Sequence, residues 1–200
     1  NTITELNRVW SELSYTMQSL RDNSDCAQEA YDLLLDETDQ GIIIQPTFDP
    51  NKTPNISKSK QPKIAIFREQ GINGQNEMAY AFDKAGFKSV DVHMTDLLEG
   101  RFQLHEFQAL VACGGFSYGD VLGAGSGMSN TILFNRKIRK IFSDFLSNDK
   151  NFGLGICNGC QFVSGIKEII PGADNWPRFM KNDSDQYECR LVQLKIENSS

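Results

Sequence analysis

Cys157 has a glycine two residues before it and another two residues after it, in Gly155-Ile156-Cys157-Asn158-Gly159-Cys160-Gln161. An apolar run, Asn151-Phe152-Gly153-Leu154-Gly155-Ile156, leads into this stretch and reads as a short buried strand. Residues 161–170 follow it with apolar side chains at helical spacing. Strand, cysteine, helix is the layout of a nucleophile elbow, a turn too sharp to admit Cβ atoms at its flanks. Cys160 lacks such flanks and would sit one turn into the helix, so the candidate nucleophile is Cys157. A helix N-terminus favours the thiolate form, and the N–H of Asn158 is placed to bind a developing oxyanion.

Two plainer readings use the same residues. Cys157 and Cys160 could be small residues buried at a strand end, or a Cys-x-x-Cys zinc or redox pair. Zinc would need a second ligand pair at suitable spacing, and the chain offers none and only 2 histidines. For redox chemistry the residues after Cys157 add no further signal.

A second constellation lies in Cys113-Gly114-Gly115-Phe116-Ser117-Tyr118-Gly119-Asp120-Val121-Leu122-Gly123-Ala124-Gly125-Ser126-Gly127. Glycines at a strand end let backbone N–H groups approach a substrate closely. The functional reading is that Gly114-Gly115-Phe116 completes an oxyanion hole with Asn158. The alternatives are a mobile surface loop or a phosphate cradle, and no Gly-Lys-Ser/Thr follows to make a P-loop. A cysteine nucleophile also needs a base. His105 precedes a predicted strand and falls at the wrong edge of the sheet. His93 falls at the correct edge, where a satisfied strand-end histidine is the commoner outcome. The base is therefore expected beyond Ser200.

The elements that must position these residues begin at Lys63. Ile64-Ala65-Ile66-Phe67, Val90-Asp91-Val92-His93, Phe107–Cys113 and the elbow strand alternate with predicted helices over 76–86 and over one long segment from Ile132 to Leu146. Such alternation implies a parallel, three-layer flavodoxin-like α/β sheet with ligands at the carboxyl ends of its strands. Upstream, Leu6, Val9, Trp10, Leu13, Met17 and Leu20 mark one helix, and 26–35 a second, capped by Ser24 or Asp25. Two helices cannot bury both their faces alone, so this part should dock on another domain. Four of the 6 prolines lie between Pro46 and Pro62, which reads as an extended linker. The expected domains are thus 1–45 helical, 46–62 linker, and 63–200 the α/β domain. That domain is cut short at its C-terminus, where Leu191–Ile196 alternates like a further strand.

Composition narrows the partners. A net charge of -6 gives a nucleic-acid partner no electrostatic support. No apolar run reaches membrane-spanning length, and no signal peptide opens the chain. Five cysteines without framework spacing fit reduced thiols and a cytoplasmic location.

The elbow resembles the Gly-x-Cys-x-Gly-x-Gln signature of class I glutamine amidotransferases. With Arg68-Glu69-Gln70-Gly71, Asp91-Val92-His93-Met94-Thr95-Asp96-Leu97, Gly115-Phe116-Ser117-Tyr118-Gly119-Asp120 and Trp176-Pro177-Arg178-Phe179, the chain from about Pro62 is similar to the glutaminase domain of large single-chain phosphoribosylformylglycinamidine synthases. Arg21-Asp22-Asn23 and Cys26-Ala27-Gln28-Glu29 resemble the last helices of their synthetase domain. The resemblance implies that Cys157 attacks the side-chain amide of glutamine, releases ammonia and leaves a thioester for water. It implies Asn158 and Gly115 as oxyanion donors, and Gly114 and Gln161 as glutamine-binding residues. It further implies a synthetase domain of the same polypeptide, using ATP and Mg²⁺, that takes up the ammonia in purine biosynthesis. No cofactor is expected within the chain itself. The family's histidine and glutamate would follow a further strand past Ser200, leaving this fragment inactive alone. Ser126-Gly127-Met128 departs from the bulkier, aromatic-containing triplet of the family. Arg178, Asn182, Ser184 and Arg190 are candidates for the glutamine pocket or a domain interface, with a solvated loop as the alternative.

Overall fold

Four parallel strands, β1 (Lys63–Arg68), β2 (Lys88–His93), β3 (Ala109–Ala112) and β4 (Phe152–Gly155), form one sheet in the order β2-β1-β3-β4. The structure is a computed structural model that describes residues 2–49, 51–52 and 61–194. Residues 54–180 form one compact unit, and residues 1–53 with 181–200 form another.

Within the larger unit, α3 (Gln75–Lys84) covers one sheet face. Packed on the other are α4 (Met94–Glu99), α5 (Ser126–Leu133), α6 (Arg136–Leu146) and α7 (Asn158–Gly165). This is the expected three-layer α/β arrangement. β1 is apolar over Ile64–Phe67 because both faces of that stretch are buried, as in parallel sheets generally. Ile64 and Ile66 meet Phe82 and Met78 on the α3 side. Ala65 and Phe67 point the opposite way, where the rings of Phe67, Phe142 and Phe162 sit 5.4–6.4 Å apart in tilted and edge-on pairs. Each such ring contributes roughly 2–3 kcal/mol by burial. Phe162 thereby anchors the helix that starts at the candidate nucleophile.

Parallel pairing sets Arg68 beside His93 and Ala112 beside Gly155, so all four strands end at one edge. Glu69, His93, Cys113 and Cys157 follow from that edge. His105 lies in a 3-10 turn, Leu104–Glu106, that precedes β3 at the other end.

Several boundaries differ from expectation. The single helix expected from Ile132 to Leu146 is two, because Asn135 turns the chain and its side chain accepts the N–H groups of Lys137 and Ile138. The elbow helix closes at Gly165 and a 3-10 turn, Lys167–Ile169, carries the apolar spacing onward. α4 has no counterpart among the expected elements; at six residues it is too short for a periodic signal.

In the other unit, α1 (Ile3–Arg21) and α2 (Ser24–Leu33) lie against each other through stacked Tyr15 and Tyr31, whose centroids are 4.5 Å apart. Asn23, rather than Ser24 or Asp25, caps α2: its carboxamide oxygen accepts from Asp25 and Cys26. α1 buries no residue and leaves Val9, Trp10, Leu13 and Leu20 exposed. Leu191–Leu194 is irregular, and the rest of the expected strand lies outside the described residues, as does most of the linker. Among the described residues no helix is long and apolar enough to cross a membrane.

Candidate active site

Cys157 has φ 55° and ψ -117°, a backbone region that a residue with a Cβ occupies only when its surroundings impose it. What imposes it is the crowding on both sides. A Cβ on Gly159 would lie 2.1 Å from the Ala112 carbonyl oxygen, and one on Gly155 would lie 2.6 Å from the Gly159 oxygen. The ladder continues to the turn through Ile156 N–H to Ala112 O at 3.0 Å. Beyond it the Cys157 carbonyl accepts from Cys160 and Gln161. The thiol is left exposed at the first turn of α7 with no side-chain hydrogen bond. Among the described residues no three metal-ligating side chains converge.

The glycine loop arrives from the end of β3. A Cβ on Gly114 would stand 3.1 Å from the Cys157 Cβ and 3.6 Å from its Sγ, so the loop backbone touches the candidate nucleophile. Gly115 has φ 128° and pairs with Ile72 in an isolated antiparallel bridge. That bridge decides which N–H groups are spoken for. Asn73 N–H donates to the Gly114 carbonyl at 2.8 Å, and Phe116 N–H donates to the Gly71 carbonyl at 2.8 Å. Phe116, expected as an oxyanion donor, has its N–H engaged in this bridge. The Gly115 and Asn158 N–H groups have no protein acceptor among the described residues. Those two are the donors available beside the thiol.

Asn158 does more than offer its backbone. Its side chain is buried, and its carboxamide oxygen accepts from Ser117 N–H at 3.1 Å and Ser117 O–H at 2.8 Å. Its amide group donates to Gln161 Oε1 at 3.1 Å and, more weakly, to Asp120 Oδ1 at 3.4 Å. The elbow and the glycine loop are thus tied by one carboxamide, and Gln161 is part of the same network.

Behind the loop, Tyr118 (φ 54°, ψ 35°) is left-handed, as are Gly119 and Asp120. The Tyr118 hydroxyl donates to Glu69 Oε2 at 2.8 Å and lies 3.2 Å from Thr131 Oγ1 on α5. Glu69 is 6% exposed, and its other oxygen accepts Gln70 N–H and faces His93 Nε2 at 3.2 Å. His93 Nδ1 accepts the Thr95 N–H, which leaves the proton on Nε2. His93 is accordingly a helix cap and carboxylate partner, with neither nitrogen directed to a base role. Glu69 is likewise committed to Tyr118 and His93 rather than to the cysteine. Burial pushes the Cys113 thiol up to about 11, with the carboxylates of Asp91 and Glu77 adding to it, so Cys113 is inert.

The site as read from sequence omitted Ser117, Tyr118 and Gly71, and it offered Glu69 only as the acidic residue that a peptidase- or hydratase-type cysteine elbow would set beside the cysteine. The signal for Glu69 is a carboxylate just past a strand with an apolar centre, Ile64–Phe67, at the ligand edge. Gly71 is required because a Cβ there would lie 2.1 Å from the Phe116 oxygen. Gly127, within the triplet that departs from the family pattern, leaves room for the Tyr118 ring, 2.8 Å from where its Cβ would be. Arg178 is exposed. Asn182, Ser184 and Arg190 belong to the other unit, where Asn182 donates to the Gln186 carbonyl and Arg190 pairs with Glu188.

Comparison with known proteins adds two findings. The family profile of the CobB/CobQ-like glutamine amidotransferase domain matches residues 61–200. Among solved structures, PurLQS from Thermotoga maritima is similar at 22% identity and a TM-score of 0.43, over 54% of this chain and 45% of that one. The chain thus spans less than half the length of that structure's chain.

Proposed function

The chain belongs to the CobB/CobQ-like glutamine amidotransferase domain family, and from that premise we propose that Cys157 is a glutaminase nucleophile. In the reading, the thiolate adds to the δ-carbonyl of glutamine, and the oxyanion is held by the N–H groups of Gly115 and Asn158. Collapse expels ammonia, with a proton supplied to the leaving nitrogen, and leaves a γ-glutamyl thioester. Water then cleaves the thioester to glutamate and returns the thiol. Gly114 and Gln161 contribute to the glutamine pocket. The observation that carries this reading is the left-handed Cys157 at the head of α7, with Gly114 against its Sγ.

The quoted motifs extend the proposal to a phosphoribosylformylglycinamidine synthase. The ammonia would be used by a synthetase domain of the same polypeptide to convert formylglycinamide ribonucleotide to its amidine in purine synthesis, in the cytoplasm. Residues 1–45 would be the end of that synthetase domain, 46–62 the linker and 63–200 the glutaminase domain, and the bare apolar stripe of α1 supports a helical part that needs a partner. The synthetase step consumes ATP with Mg²⁺, which supplies phosphoryl activation of the amide oxygen. Among the described residues here no ligand set for the metal exists, so no residue of this chain is assigned to it. The histidine base and its glutamate are placed beyond Ser200, consistent with His93 being committed to Glu69.

The test is covalent labelling by the chloroketone analogue of glutamine, followed by peptide mapping. In a chain extended past Ser200, labelling falls on Cys157, disappears in Cys157→Ala and persists in Cys160→Ala. Absence of labelling in that chain refutes the glutaminase. The 200-residue fragment itself is expected to release little ammonia from glutamine; robust release would refute the placement of the base.

A further inference from the structure

The loop that carries Gly115 is held in an unfavourable shape, and the groups that hold it are not among those that touch the thiol. Tyr118, Gly119 and Asp120 are consecutively left-handed, a run that non-glycine side chains resist. Two clamps act on the residues before this run. One is the backbone bridge of Gly71, Ile72 and Asn73 to Gly114–Phe116. The other is the pair of Ser117 bonds to the Asn158 carboxamide. Neither reaches Tyr118. Its conformation is fixed instead by its hydroxyl on Glu69, its N–H on the Gln70 carbonyl at 3.0 Å, and its ring seated over Gly127.

Glu69 is unusual among the carboxylates here in being buried, 6% exposed. A buried carboxylate is costly unless each oxygen is bonded. Both are: Oε1 by Gln70 N–H and His93 Nε2–H, Oε2 by Tyr118 O–H. His93 is itself aimed by the Thr95 N–H on Nδ1. The chain of contacts therefore runs from the N-terminus of α4 through His93 and Glu69 to Tyr118, one residue from Ser117.

Resting on the glutaminase reading, we infer that Glu69, oriented by His93 and clasping Tyr118, is a positioning residue that sets loop 114–120 so that the Gly115 N–H meets the oxyanion formed at Cys157. Glu69 touches neither substrate nor thiol; it acts through Tyr118. The consequence is specific to steps that develop an oxyanion. Alkylation of the thiol by direct displacement develops none and should not depend on the clasp.

The experiment compares two reagents on the full-length protein. With the chloroketone of glutamine, the thiolate adds to the ketone, forming an oxyanion, before the C–S bond to the methylene displaces chloride. With iodoacetamide, sulfur displaces iodide at a methylene directly. Tyr118→Phe removes only the hydroxyl and is expected to slow chloroketone labelling at least tenfold while changing the iodoacetamide rate less than twofold. Loss of a whole oxyanion donor costs on the order of 10²–10³-fold, so a displaced donor should fall below that. His93→Gln keeps an N–H donor to Glu69 and should retain the parent chloroketone rate, whereas His93→Leu should lose it as Tyr118→Phe does. Equal slowing of both reagents in Tyr118→Phe, accompanied by a lower melting temperature, would make the contact merely structural and overturn the inference. So would an unchanged chloroketone rate in Tyr118→Phe, or loss in His93→Gln as large as in His93→Leu. Failure of the parent itself to label at Cys157 would instead remove the glutaminase reading, and this inference with it.

Discussion

Two strand-to-helix turns stand at the same edge of the sheet and are built oppositely. At the end of β2, His93 has ordinary extended geometry, φ -86° and ψ 152°, and its ring nitrogen caps α4 by accepting from Thr95. Asp96 answers by accepting the His93 N–H at 2.8 Å, a reciprocal cap. At the end of β4, Cys157 takes φ 55° and ψ -117°, and its side chain caps nothing. The first turn is a structural joint. In the second, a strained backbone keeps a thiol and adjacent N–H groups free of internal partners, which is how sites store readiness for a ligand.

Removing what makes the second turn different should have the largest effects. Cys157→Ala should abolish glutamine hydrolysis in the full-length protein and all chloroketone labelling, measured by ammonia release and mass spectrometry. Next comes the space that permits the turn. Gly159→Ala would bring a Cβ within 2.1 Å of the Ala112 carbonyl oxygen, a backbone atom that cannot swing away. We expect a loss of about 3 kcal/mol or more in urea unfolding, at the upper end of overpacking costs, and greatly slowed labelling. A near-neutral Gly159→Ala would show that the elbow is not held by this crowding.

The Cys157 side of this contrast was legible in the sequence and the α4 side was not, for physical reasons. Glycine spacing around Cys157 announced a steric requirement, and steric requirements are local. The parallel sheet and its shared ligand edge followed from alternating strand and helix patterns, because parallel strands need crossovers, whereas the order β2-β1-β3-β4 has no local signal. The engagement of the Phe116 N–H was not legible because it depends on Gly71, some forty-five residues earlier, and no local pattern reports a long-range bridge. The break at Asn135 was masked by apolar residues on both sides whose spacing runs through it. The Glu69–Tyr118 bond joins two motifs that lie 49 residues apart in the chain. Nothing in one-dimensional spacing says that two side chains meet.

A smaller effect tests the tie between elbow and loop. Asn158→Ala keeps the backbone N–H but leaves Ser117 N–H and O–H without their buried acceptor. The cost should be about 1–3 kcal/mol, with slower chloroketone labelling and an unchanged iodoacetamide rate. Ser117→Ala removes only the hydroxyl donor and leaves the Asn158 carboxamide its bonds to Ser117 N–H, Gln161 and Asp120, so it should cost less than Asn158→Ala. A Ser117→Ala as destabilising as Asn158→Ala would mean that the other bonds of the carboxamide contribute nothing.

The smallest effect belongs to the satisfied turn, and its signature is a pH dependence. Burial pushes the Asp96 carboxyl up, but the His93 N–H and the Arg101 guanidinium outweigh it, so the group is held below its ordinary value of 3.8. A carboxyl whose pKa is lower folded than unfolded stabilises the fold above the unfolded value, and that contribution disappears as pH falls through the folded value. Asp96→Asn should therefore be less stable than the parent near neutrality by a few tenths to about 1 kcal/mol, the range for an ion pair whose guanidinium is open to solvent. The difference should hold down to roughly pH 5 and shrink toward zero below the folded value, since both chains then carry an uncharged group at residue 96. Urea midpoints measured across that interval decide it. A gap that stays constant into strong acid would assign the role of Asp96 to shape rather than charge. The two turns would then differ in backbone alone, with no electrostatic component on the His93 side.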